Sequence, residues 1–344
     1  VREGVLTALG LLLAVLVACV LGEAAVRIYA GHPLWPLVPP KPYIDNDLLY
    51  RPSATLLYEL RPGIDEEVGY GRIRIKINDA GFRDDVEPMI PKPSGTWRAI
   101  VLGDSFTFSG KVVLADTFSE QLERLIAARD ASRRYEVFNL GVPGYKSGQQ
   151  LGLLREKGMS LDPDVVLVDF TLNEAAPLVQ LISERSHRWP AAYRFVKRFD
   201  LVQFLYANWK QFAFLRQGNF FRRGQNYADL VEDSPRWEAT KADLAEMRRL
   251  TDARHAHLLV VMWPVFVQLD DYPYVAKHRL VRQACETLGI PVLDLLETFR
   301  GTDARTLWAS SDDHHPNPTA QKRVAEAVRD ALEKRGFLPP PRPG

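Results

Sequence analysis

The chain has 344 residues, 46% of them hydrophobic and 25% charged, a globular composition long enough for one large or two modest domains. Its 44 basic and 43 acidic residues leave a formal charge of +1, which removes any global argument for nucleic acid or an acidic polymer as partner. Cys19 and Cys285 sit in unrelated contexts without metal-ligand spacing, so neither a disulfide scaffold nor a zinc site is indicated.

Val5 to Gly22 is an uncharged, mostly aliphatic run of 18 residues, close to the roughly 20 that cross a bilayer core as a helix. Three readings compete: a retained signal anchor, a cleaved signal peptide, and a lipoprotein signal ending at Leu16-Val17-Ala18-Cys19. The anchor is favoured because apolar sequence continues past Cys19 and then reaches Glu23 and Arg27, an i,i+4 pair suited to a helix emerging among headgroups. A lipidated cysteine is usually followed by a polar tether instead. Arg2 and Arg27 balance across the run, so the positive-inside rule does not orient it. The default is a single pass through a bacterial inner membrane with the body on the extracytoplasmic side.

Residues 31–44 contain five prolines and read as an extended stem. From Leu48 to Ile90, short alternating runs such as Arg72 to Ile77 predict strands, with Asn78 to Gly81 as a turn, giving a small β-rich preface. Beyond it, apolar runs of strand length alternate with helical patterns. Strands are predicted at Ala99 to Leu102, Tyr135 to Asn139, Val165 to Phe170, Leu258 to Met262 and Pro291 to Leu293, and helices over 116–129, 147–158, 235–254, 274–288 and 318–334. The fold class is therefore α/β: a flavodoxin-like three-layer α/β/α sandwich on a five-stranded parallel sheet, with ligands gathered at the carboxyl ends of the strands. The expected organisation is an anchor over 1–30, stem and preface over 31–97, and an α/β domain over 98–338.

An insertion at about 180–228 is rich in aromatic and basic residues, among them Trp189, Phe195, Trp209, Arg222 and Arg223. It reads either as a helical hairpin whose aromatics pack on the body, or as a cap over the site that touches lipid headgroups or an anionic glycan.

The βα junctions at the predicted carboxyl edge of the sheet carry chemistry. After the first strand, Gly103-Asp104-Ser105 sets a serine where its hydroxyl can be exposed; Thr107 rules out the Gly-x-Ser-x-Gly elbow. After the second come Gly141 and Gly144, whose backbone can approach a ligand closely, although Pro143-Gly144 also suits an ordinary turn. After the third comes Asn173, a side-chain amide donor or a simple cap. Near the C-terminus, Asp312-Asp313-His314-His315-Pro316 offers a carboxylate to fix one imidazole nitrogen and leave the other as a base. The alternative there is a metal site, which would need ligands from elsewhere in the chain.

Taken in order, these four blocks resemble the signature of the SGNH/GDSL hydrolase family over about 98–334. The resemblance implies an acyl-ester hydrolase with Ser105 as nucleophile, His315 as base and Asp312, from an Asp-x-x-His register, as its partner. It further implies an oxyanion held by the N–H groups of Ser105 and Gly144 and by the Asn173 amide, and it calls for no metal or organic cofactor. Here Thr171-Leu-Asn173-Glu174 stands where the family usually has Gly-x-Asn-Asp, and the doubled Asp and His leave a second register open. With Asn78 to Arg83 ahead of the serine block, the front of the chain looks like membrane-anchored bacterial members, some associated with exopolysaccharide acylation. The expected partners are a membrane and an acylated glycan or lipid, with no nucleic acid. Transfer of the acyl group to a sugar hydroxyl, and a catalytically idle glycan-binding role, remain as alternatives.

Overall fold

The structure, a computed structural model, describes residues 2–30, 34, 49–68, 73–178, 199–202, 204, 205, 230–310 and 313–340. The chain divides into two compact units: Val1–Asp47 with Val68–Arg72 and Ile182–Arg223, and Leu48–Glu67 with Ile73–Leu181 and Gly224–Gly344. Most of the basic aromatic insertion lies outside the described residues.

In the first unit, helix α1 spans Arg2–Ala30. Its stretch Gly4–Tyr29, 26 residues containing an 18-residue window with a mean hydropathy of 2.8, is long and apolar enough to cross a membrane. Toward its end the polar groups are tied down. Glu23 accepts from the backbone N–H groups of Asp200 at 3.0 Å and Leu201 at 2.8 Å, and Arg27 donates to Glu23 at 2.7 Å. Gly22 faces the Leu201 side chain so closely that an added Cβ would lie 3.0 Å from it.

The second unit begins with two antiparallel strands, β1 (Tyr50–Ser53) and β2 (Leu57–Leu60). A further two-stranded sheet follows, β3 (Ile64–Val68) with β4 (Ile73–Ile77). The main sheet comprises β5 (Thr96–Gly103), β6 (Arg134–Gly141), β7 (Val165–Phe170), β8 (His257–Met262) and β9 (Val292–Asp294). It is parallel throughout, in the order β6-β5-β7-β8-β9. This is the expected flavodoxin-like arrangement. The chain leaves β5 toward β6 on one side and returns to β7 on the other, so the crevice at the carboxyl end of β5 is the topological switch point.

Every residue of β5 is buried, which is why its run reads as continuously apolar rather than alternating. Ala99 and Val101 face a layer that includes Phe118, Leu122 and Ile126 of α3 (Phe118–Ala127) and Val324 and Val328 of α8 (Pro318–Lys334). Ile100 points the other way, toward Gly158, where an added Cβ would lie 3.0 Å from its Cδ1. Other α-helices among the described residues of this unit are the short α2 (Ser105–Phe108), α4 (Ser147–Glu156), α5 (Pro235–Asp252), α6 (Val275–Thr287) and α7 (Leu296–Phe299). The long ones start and stop within a few residues of the expected spans, because Ser234 and Asn317 cap α5 and α8 with a proline at the first turn of each. Absent from the sequence reading are the four-residue helices α2 and α7 and a small antiparallel hairpin of β10 (Trp308–Ser310) and β11 (Asp313–Pro316).

Candidate active site

The serine turn is built by close approach. Helix α2 starts directly after β5, and Asp104 caps it by accepting from the Phe106 N–H at 2.9 Å. A Cβ on Gly103 would fall 2.0 Å from Thr107 Oγ1, and one on Gly141 would fall 2.6 Å from the Phe108 nitrogen. Both strand ends therefore need glycine for α2 to sit against them. Thr107 donates from its hydroxyl to Asp169 at 2.6 Å, and burial pushes the Asp169 carboxyl up to about 8. The far end of α2 is held by Arg83. Its buried guanidinium donates to the carbonyls of Phe108, Ser109 (2.6 Å) and Val112 (2.5 Å). The Asn78 to Arg83 stretch of the preface thus buttresses the serine turn.

His315 arrives on the C-terminal hairpin. His315 Nε2 lies 2.8 Å from Ser105 Oγ, and His315 Nδ1 lies 2.5 Å from Asp313 Oδ1. Asp313 and His315 are two apart on β11, so their side chains share a face, while His314 points the other way and stacks on Trp308 with ring centroids 3.7 Å apart. The carboxylate beside the imidazole is therefore that of Asp313, where the Asp-x-x-His register selects Asp312. Asp312 itself lies outside the described residues. Burial alone would push the Asp313 carboxyl up. Hydrogen bonds from the His315 ring and backbone, the imidazole charge and Lys111 outweigh it and hold the carboxyl down at about 2. Phe106 meets the His315 ring edge-on at 5.4 Å and closes its apolar side.

The loops after β6 and β7 complete the edge. The Val142 N–H donates to the Gly103 carbonyl at 3.1 Å, tying the second loop to the serine strand. Gly144 has φ +81°, a conformation that strains any side-chain-bearing residue. Among the described residues, neither the Ser105 nor the Gly144 N–H has a protein acceptor. Asn173 donates from Nδ2 to Asp104 Oδ2 at 3.2 Å, which links the third loop to the residue preceding the serine. Its Oδ1 accepts from Lys146 Nζ at 2.6 Å, and the Thr171 hydroxyl lies 3.0 Å from the same oxygen. Sequence reasoning gave Asp104 and Lys146 no role in this site and kept Asp313 only as the second register of the doubled motif.

The sequence profile of the GDSL-like lipase/acylhydrolase family matches residues 101–323, from β5 into α8, and so takes in Ser105, Gly144, Asn173 and His315. This chain belongs to the GDSL-like lipase/acylhydrolase family. As a GDSL-type hydrolase it acts on ester bonds. No curated protein matches it in sequence. Solved structures that resemble the GDSL domain include TesA, at 16% identity over 70% of this chain and 99% of that one, with a TM-score of 0.44. A lipase/acylhydrolase from Enterococcus faecalis aligns at 15% identity over 72% of this chain and 100% of that one, with a TM-score of 0.45. Axe2, an acetylxylan esterase from Geobacillus stearothermophilus, aligns at 15% identity over 70% and 95%, also at 0.45.

Proposed function

We propose that this GDSL-type hydrolase cleaves O-acyl esters of a cell-envelope glycan or lipid through a triad of Ser105, His315 and Asp313. The observation that carries the reading is the contact of Ser105 Oγ with His315 Nε2 at 2.8 Å, with the other ring nitrogen committed to a carboxylate. In that tautomer Nδ1–H donates to Asp313 and Nε2 accepts the serine proton as Oγ attacks the ester carbonyl. The imidazolium then returns the proton to the departing alcohol. Water, activated by the same nitrogen, releases the acid from the acyl-serine. The developing oxyanion is held by the Ser105 and Gly144 N–H groups and by the second N–H of the Asn173 amide. Loss of one such donor lowers turnover by about 10²- to 10³-fold.

The envelope setting rests on α1. Glu23 and Arg27 are built into contacts with Asp200 and Leu201 of the same unit, which favours a retained anchor over a cleaved leader. A single pass through the inner membrane with the hydrolase unit on the extracytoplasmic side would bring the serine to acylated envelope material. The test of the triad is hydrolysis of p-nitrophenyl acetate by the full chain. Ser105→Ala and His315→Ala are each expected to remove nearly all activity, and the double variant should lose little more, because members of one catalytic unit are non-additive. Wild-type turnover in Ser105→Ala would overturn the reading.

A further inference from the structure

The Asn173 amide can serve an oxyanion only if its nitrogen, not its oxygen, faces the reacting carbonyl, and the two ends of an amide are nearly identical in shape. Something must hold the orientation. Two groups of opposite charge type do so here: Lys146 Nζ, 2.6 Å from Oδ1, and Asp104 Oδ2, 3.2 Å from Nδ2. A flipped amide would set its NH2 against an ammonium, which has no lone pair to accept, and its oxygen against a carboxylate. Thr171 cannot replace the lysine in this role. Its single hydroxyl proton lies between Asn173 Oδ1 at 3.0 Å and Asp104 Oδ2 at 3.1 Å, and it donates to only one of them.

We infer that Lys146 is a positioning residue for the oxyanion hole, holding the Asn173 amide in its donating orientation and adding positive charge behind it. The inference rests on the reading of Asn173 as an oxyanion donor. Lys146 is only 6% exposed, so its ammonium acts across a poorly screened distance. Its neighbour Glu174 is 3% exposed and accepts from Gln150 Nε2 at 3.1 Å. Burial pushes the Glu174 carboxyl well above the ordinary carboxylate range even against the pull of Lys146. The lysine is placed by its backbone: its N–H donates to Gln149 Oε1 at 3.3 Å at the start of α4, while Gln149 Nε2 is anchored on the Leu56 carbonyl at 2.8 Å.

The test is a double-mutant cycle on p-nitrophenyl acetate with Lys146→Met and Asn173→Ala in the full chain. Lys146→Met is expected to lower kcat by about tenfold or more with KM within about threefold, and to cost almost nothing further in the Asn173→Ala background. A lysine that merely supports the fold would lower activity by the same factor in both backgrounds, and that result overturns the inference, as does a raised KM at unchanged kcat. If Lys146→Met does not fold, Lys146→Gln is read through the same cycle with the same criteria. Wild-type kcat in Asn173→Ala alone would instead sink the oxyanion assignment beneath it.

Discussion

A histidine serves as a base at one nitrogen only while the other is committed, so the identity of the carboxylate beside His315 decides the chemistry at residue scale. The family pattern points to Asp312, and the geometry points to Asp313. Both follow from spacing, but of different kinds: one counts residues in a motif, the other follows the two-residue alternation of a strand. Asp313→Asn is expected to lower kcat on p-nitrophenyl acetate by about 10³- to 10⁴-fold, through loss of the correct tautomer. Asp312→Asn should keep most activity. The reverse ranking in steady-state kinetics would return the role to Asp312. Because the Asp313 carboxyl is held down at about 2, below its ordinary value of about 3.9, the pair contributes stability that is present above about pH 4. That contribution is lost as pH falls through 2.

At the scale of elements, the parallel sheet was legible because buried parallel strands are apolar on both faces and glycine and proline punctuate their ends. The β10–β11 hairpin was not, because its strands are three and four residues long and carry aspartate and histidine in place of an apolar alternation. The tie between preface and site was also hidden, since it arises only where distant segments meet. Tyr58 of β2 donates to the Pro143 carbonyl at 2.9 Å, and Tyr145 donates back to the Tyr58 carbonyl at 2.5 Å. In a trans peptide the C=O and the following N–H point in opposite directions. Fixing the Pro143 carbonyl therefore fixes the direction of the Gly144 N–H. A neutral hydrogen bond is worth about 1 kcal/mol, so Tyr58→Phe should lower kcat by severalfold up to about tenfold, with KM little changed. Unaltered kcat with a lowered Tm would show that the tyrosine supports only the fold.

At the scale of the molecule, the two units divide the labour: one holds the apolar helix and the other the hydrolase site. Net charge and composition said nothing about either task, whereas an ordered set of weak motifs at successive strand ends named most of the residues of the candidate site. The remainder depended on which side chains the fold brings to one loop, as with Lys146 and Asp104. The anchor reading predicts that the full chain remains in the membrane pellet after an alkaline carbonate wash, and that Cys19→Ser leaves this unchanged; release of the intact chain would contradict it. Everything proposed for the hydrolase site depends on Ser105 being an activated nucleophile. The most direct test of this is reaction of the full chain with a fluorophosphonate, followed by peptide mass spectrometry. Stoichiometric addition on Ser105 is expected, with its loss in His315→Ala; an unlabelled Ser105 in active protein, or label on another residue, would show that the nucleophile lies elsewhere.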